Sequence, residues 1–223
     1  MLRSLYEALG ERAALAAILL ADAAQAGSKT ERVELYQRAA RLYLELGDTA
    51  AALAPLNEAC QLEPDDFTTQ LLMIDSNILL GRVADADNAL EAAIAIHKKR
   101  RTPELAVLFQ RKGRLAGRQG DGAEQIRWLN QAMEADRKSG ELASELAEVS
   151  MALGDHDTAM KALRLLTMMD DPRPMSRAVA FLRQAQIAQL RGDPRRAQQW
   201  ARKAKSLDDG LAEADRFLAE IGG

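Results

Sequence analysis

Six glycines recur along the 223-residue chain at spacings of 37, 34, 39, 34 and 38 residues: Gly10, Gly47, Gly81, Gly120, Gly154 and Gly192. Four of them are followed by aspartate, at Asp48, Asp121, Asp155 and Asp193. A period in this range marks an array in which each unit is one supersecondary element that cannot bury its apolar face alone. Between Val33 and Asp66, Tyr36, Ala39, Ala40 and Tyr43 return at helical spacing and form one apolar stripe. Gly47 suits the left-handed conformation that ends a helix, and Asp48 suits the cap of the next. Ala52, Leu56 and Ala59 mark the inner face of a second helix, which Pro64 ends. The unit is therefore helix, tight turn, helix, and the fold class is all-α.

Composition agrees with close-packed helices that cross at small residues: 48% of residues are hydrophobic, yet only 4% are aromatic. No strand pattern supports a nucleotide-binding βαβ unit, and the glycines are spaced as helix stops, not as a phosphate loop. The single cysteine, Cys60, has no internal disulfide partner and reads as a buried, inert thiol. His97 and His156 fall in different units, without carboxylate or cysteine neighbours at ligand spacing. They read as solvated helix-end or turn residues, so no metal, cofactor or catalytic residue is expected. The segment Ala13–Gly27 has the apolar heart of a secretory leader, but Glu7 and Glu11 precede it and Asp22 interrupts it. A cytoplasmic setting is expected, with the periplasm second. No run approaches the ~18 apolar residues of a membrane helix, so no membrane insertion is expected.

The segment LYLELGDTAAALAPLNEACQLEPDD resembles a tetratricopeptide repeat, with the small residue five after the glycine and the proline near its end. That resemblance implies a right-handed α-solenoid. In register, full units cover 33–66, 67–100, 106–139, 140–173 and 178–211, with a partial unit in 1–30 and a closing helix at 211–221. A start inside a repeat is expected of a segment of a longer array. The departures are Asp22 where most later units place alanine, Gln125 in place of the small residue, and Lys112 at an apolar position. Extra residues enter the junctions at Arg101–Leu105 and Pro174–Arg177, where longer loops offer contact points of their own.

In this family the first helix of each unit lines the concave face, which implies the residues able to meet a partner. They are Glu34, Gln37, Arg41 and Leu44, then Leu71, Asp75 and Ile78, then Val107, Gln110, Arg114 and Arg118. The fourth unit adds Glu141, Ser144, Glu148 and Met151, and the fifth Val179, Leu182 and Gln186. The apolar members either meet an apolar partner or pack between neighbouring first helices. The asparagine and lysine residues by which chaperone cofactors of the family clamp a C-terminal carboxylate are missing. Gln37, Arg41, Leu72, Val107 and Arg111 stand there instead, and only Arg111 fits.

The implied function is a non-enzymatic adaptor for a protein or peptide partner, with a structural, self-associating spacer or a regulatory segment of a larger protein as alternatives. The composition resembles bacterial repeat proteins of motility, pilus or envelope assemblies, by analogy alone. Residues 1–96 hold 7 basic and 15 acidic residues, and residues 97–223 hold 23 and 18. This asymmetry either steers a charged partner or reflects drift of solvated faces. The basic run from His97 to Arg101 lacks interleaved aromatics apart from Phe109, so no nucleic-acid partner is expected. Trp128 and Trp200 occupy equivalent second-helix positions and read as semi-core. A polar closing helix with Glu213, Asp215, Arg216 and Glu220 points to a monomer.

Overall fold

The computed structural model describes residues 11–98 and 102–222, and every regular element among them is a helix. Leu2, Tyr6 and Gly10, and the basic residues Lys99 to Arg101, lie outside the described residues. The described residues fall into two compact units, 11–98 and 102–222. Unit one contains α1 (Arg12–Gln25), α2 (Lys29–Glu45), α3 (Thr49–Leu62), α4 (Phe67–Leu79) and α5 (Val83–His97). Unit two contains α6 (Pro103–Arg118), α7 (Gly122–Ala135), α8 (Gly140–Ala152), α9 (His156–Met168), α10 (Arg177–Leu190), α11 (Pro194–Leu207) and α12 (Ala212–Gly222).

The turn between paired helices is one local device used repeatedly. Gly47 has φ of 78°, a left-handed value that disfavours any side chain. It lets the Asp48 amide reach back to the Tyr43 carbonyl at 2.9 Å, closing α2 in a Schellman arrangement. The Asp48 carboxylate then accepts the Ala51 amide at 3.0 Å and caps α3. Asp121, Asp155 and Asp193 do the same for α7, α9 and α11 at 3.0, 3.0 and 3.1 Å. Arg82 has nearly the same backbone (φ −81°, ψ 69°, against −87° and 67° for Asp48) but makes no side-chain bond to α5.

Alanine at the crossings lets each helix pair approach closely. In unit one, Ala40, Ala52 and Leu56 form one buried cluster, and Leu15, Leu19, Ala23, Val33, Tyr36, Ala39 and Ala59 form another. Ala23 takes the buried crossing that Asp22, which is exposed, does not fill. Unit two builds a larger cluster around Leu129, Leu146, Leu163, Leu166 and Ile187, with Trp200 half-buried against it. At its end, Leu182, Ala204 and Ala214 pack with Phe181, Leu211 and Phe217, so α12 covers the last pair.

The irregular third unit is compensated locally. Gln125 stands where other units have alanine, and Gly117 on the facing helix makes the room: a Cβ there would stand 2.6 Å from the Gln125 side chain. Lys112, at its apolar position, is buried with Nζ 4.9 Å above the Trp128 ring. Arg127 lies 4.7 Å from the same ring and Phe109 stacks on it at 5.5 Å. The Trp128 indole N–H donates to Glu124 at 2.7 Å, so this half-buried tryptophan is held on every side by a cation, a ring or a carboxylate. One expectation is corrected: Arg101–Leu105 is not all junction loop. Thr102 caps α6, Pro103 opens it, and Leu105 is buried within it, because proline suits a first helical position.

Candidate functional site

Unit two joins its first helices through polar contacts on one face. On α6, Arg114 grips Glu145 of α8 with two bonds, Nε to Oε1 at 2.7 Å and Nη2 to Oε2 at 2.7 Å. The Gln110 amide donates to Glu145 at 2.6 Å and to Glu141 at 3.3 Å. The hydrogen bonds to Glu145 hold the Arg114 guanidinium above its ordinary range, against the burial that opposes its charge. Two repeats further along, Arg183 of α10 donates to Glu213 of α12 at 2.6 Å, and Gln186 donates to the same oxygen at 3.1 Å. Burial pushes the Glu213 carboxyl up, and Arg183 and Gln186 outweigh it, leaving the group below its usual value.

Beside α8 the chain leaves α9 and crosses back as a loop from Met169 to Ser176. Gly140 and Ser144 seat this loop. A Cβ at 140 would stand 2.7 Å from the Arg173 carbonyl oxygen, so only glycine allows the backbones to come this close. The buried Ser144 hydroxyl donates to the Gly140 carbonyl at 2.7 Å and accepts the Met175 amide at 3.3 Å. Met175 and Pro172 are buried beneath. Between this loop, α6 and α8 lies a cleft of about 900 Å³. Arg114, Glu141, Glu145 and Glu148 line one side, and Asp171 to Pro174 the other.

The residues expected to meet a partner separate into three groups. Arg114 and Glu148 line the cleft, together with Glu141 and Ser144. Glu34, Arg41 and Arg118 are exposed, while Leu71, Asp75, Ile78 and Val107 are half-buried. The rest are committed to holding the fold. Leu182 is corrected from a contact residue to a core residue, since at 0% exposure it cannot reach a ligand. Leu44 packs on the Ala40 cluster, and Met151 and Val179 on the Leu163 cluster. Gln37 is buried, donating to Asp66 at 2.7 Å and Thr69 at 2.9 Å, and Gln110 and Gln186 are spent on the bonds above. Sequence reasoning missed Glu145 and the residues of the 171–174 wall; the only signal was the extra length at Pro174–Arg177.

The other expected reactive groups have structural surroundings. His97 is not simply solvated: its Nε2 pairs with Gln70 Oε1 at 3.0 Å, and the ring meets Phe67 edge-on at 5.3 Å. His156 is half-buried, with Nδ1 enclosed at the start of α9. Cys60 is half-buried, and burial followed by the Asp66 charge pushes its thiol up, away from the reactive thiolate. Among the described residues no group of three or more His, Cys, Asp or Glu is placed to hold a metal ion. Among them, too, no helix is long and apolar enough to cross a membrane.

No curated protein matches the chain in sequence. Among solved structures, BtubC from P. vanneervenii has a TM-score of 0.66 at 16% identity, covering 97% of this chain and 93% of its own. MamA superposes with a TM-score of 0.59 at 16% identity, over 81% of this chain and 94% of its own. YrrB, a tetratricopeptide-repeat protein with an unusual peptide-binding site, gives 0.58 at 17% identity, over 85% and 96%. At such identities the likeness speaks of fold. The tetratricopeptide-repeat family profile matches residues 33–76, and over the rest of the described residues the chain shares the helical-repeat fold of these solved structures.

Proposed function

We propose that the protein is a non-enzymatic interaction module that holds a peptide or protein segment on the first-helix face of unit two. The fold is one that generally mediates protein–protein contact. The observation that carries the reading is the cleft of about 900 Å³, where four expected contact residues, Arg114, Glu141, Ser144 and Glu148, meet the 171–174 wall. Its walls are fixed in advance by Gly140, Ser144 and the Arg114–Glu145 pair, so a ligand loses little free energy to ordering them. A cytoplasmic setting accords with a lone cysteine that needs no oxidising compartment.

The test is to select peptides on the intact chain from a random displayed library and to map their footprint by hydrogen exchange. Protection of α6, α8 and residues 169–176 supports the docking face. Protection confined to the second helices α7, α9 and α11 overturns it. We also propose a monomer, because α12 covers the apolar end of unit two. Light scattering that shows mass growing with concentration at low salt would favour the self-associating spacer instead.

A further inference from the structure

Resting on that docking reading, we infer that the occupant of the cleft is an extended, polyproline-II-type segment carrying two basic side chains three residues apart. On α8, Glu141, Glu145 and Glu148 sit at i, i+4 and i+7 and therefore share one face. The middle carboxylate is spent: Glu145 accepts two bonds from Arg114 and one from Gln110, and its side chain is only 18% exposed. Arg114 is neutralised by the same pairing and has no charge left to offer an acidic ligand. Across the cleft, Arg173 pairs with Asp171 at 3.2 Å, so the opposite wall is electrically balanced.

Two carboxylates remain to define the field. The Glu141 side chain is 64% exposed, with only a 3.5 Å approach from Arg114 and a 3.3 Å bond from Gln110. Glu148 is exposed at the other end of the stripe. Seven residues of helix separate them by roughly 10.5 Å along the axis. A polyproline-II segment rises ~3.1 Å per residue with three residues per turn, so side chains three apart point the same way about 9 Å from each other. The two spacings match. Pro174, exposed on the facing wall, offers apolar surface against which the stem of an arginine or lysine can lie.

The test titrates the intact chain with a labelled peptide of repeating proline carrying two arginines three apart, followed by fluorescence anisotropy. Comparator peptides carry two glutamates at those places, or the two arginines adjacent. Saturable binding of the first peptide, about ten-fold tighter than either comparator, is expected. The double variant Glu141→Gln/Glu148→Gln should lose about ten-fold in affinity, while Glu134→Gln, exposed on α7, leaves it unchanged. Absence of binding, equal binding of the glutamate peptide, or full affinity in the double variant overturns the inference. Library peptides that protect α6, α8 and the loop yet carry no basic pair overturn it too, and leave the docking face standing. A footprint elsewhere overturns both.

Discussion

Unit one and unit two are made from the same helical pairs, yet they are held by different means. Unit one packs on buried alanine, leucine and tyrosine, with Ile74, Ala86, Leu90 and Ala93 enclosed as well. Its first helices are linked through Gln37 to Asp66 and Thr69, a bond made to the cap of α4. Two of its five helices, α1 and α5, begin without a side-chain cap. In unit two every helix from α6 to α11 has a serine, threonine or aspartate side chain accepting an amide at its start. Charged bonds tie α6 to α8 and α10 to α12, and an extra loop is seated on α8. A repeat period alone therefore does not make equivalent units. The preformed cleft lies where the charged link between α6 and α8 meets the extra loop seated on α8, a combination not found among the described residues of unit one.

The strongest challenge to this contrast is core truncation. Leu163, fully buried in the large cluster of unit two, should lose about 2–5 kcal/mol on Leu163→Ala. Because repeats couple through neighbours, hydrogen exchange should quicken through α8 to α10 while α2 to α4 keep their protection. An equal loss in both units would show that they unfold as one body. Next comes the seat of the loop. Gly140→Ala should cost about 1–3 kcal/mol, since the new methyl meets backbone rather than a yielding side chain. Exchange should rise in residues 171–175, and if the loop stays as protected as before, its seat is not where we place it.

The contrast is sharpened by supplying what unit one lacks. Arg82 already has the backbone of a cap, so Arg82→Asp should stabilise α5 by about 0.5–1 kcal/mol, read as slower exchange in 83–97. Asp121→Ala should cost α7 about as much. No gain from the first, with the expected loss from the second, would mean that α5 is limited by something other than its cap. The smallest effect is acid sensitivity. The Thr158 amide and hydroxyl hold the Asp155 carboxyl below its usual value. Its capping contribution is therefore complete above the ordinary carboxylate range and disappears as pH falls through the lowered folded pKa. Asp155→Asn, which caps without a charge, should flatten that part of the pH–stability curve for α9, and an unchanged slope would remove Asp155 from the account.

Features whose cause lies within a few residues were legible before any tertiary contact was known. Glycine at positive φ, the aspartate that follows most of these glycines and alanine at most crossings are local choices, so the register and nearly every helix pair were legible from Gly47, Asp48, Ala52 and their equivalents. Lys112 and Gln125 were legible as departures, but not their remedies, Trp128 and Gly117, which depend on two helices facing each other. The site was only half readable for the same reason. Arg114 and Glu148 follow from the register, whereas the pairing of Arg114 with Glu145, 31 residues away, does not. Nor does the seating of the Arg173 backbone against Gly140. A periodic pattern states which face a side chain takes, and only tertiary packing decides whether what it meets there is a neighbour that consumes it or open space that a partner can fill.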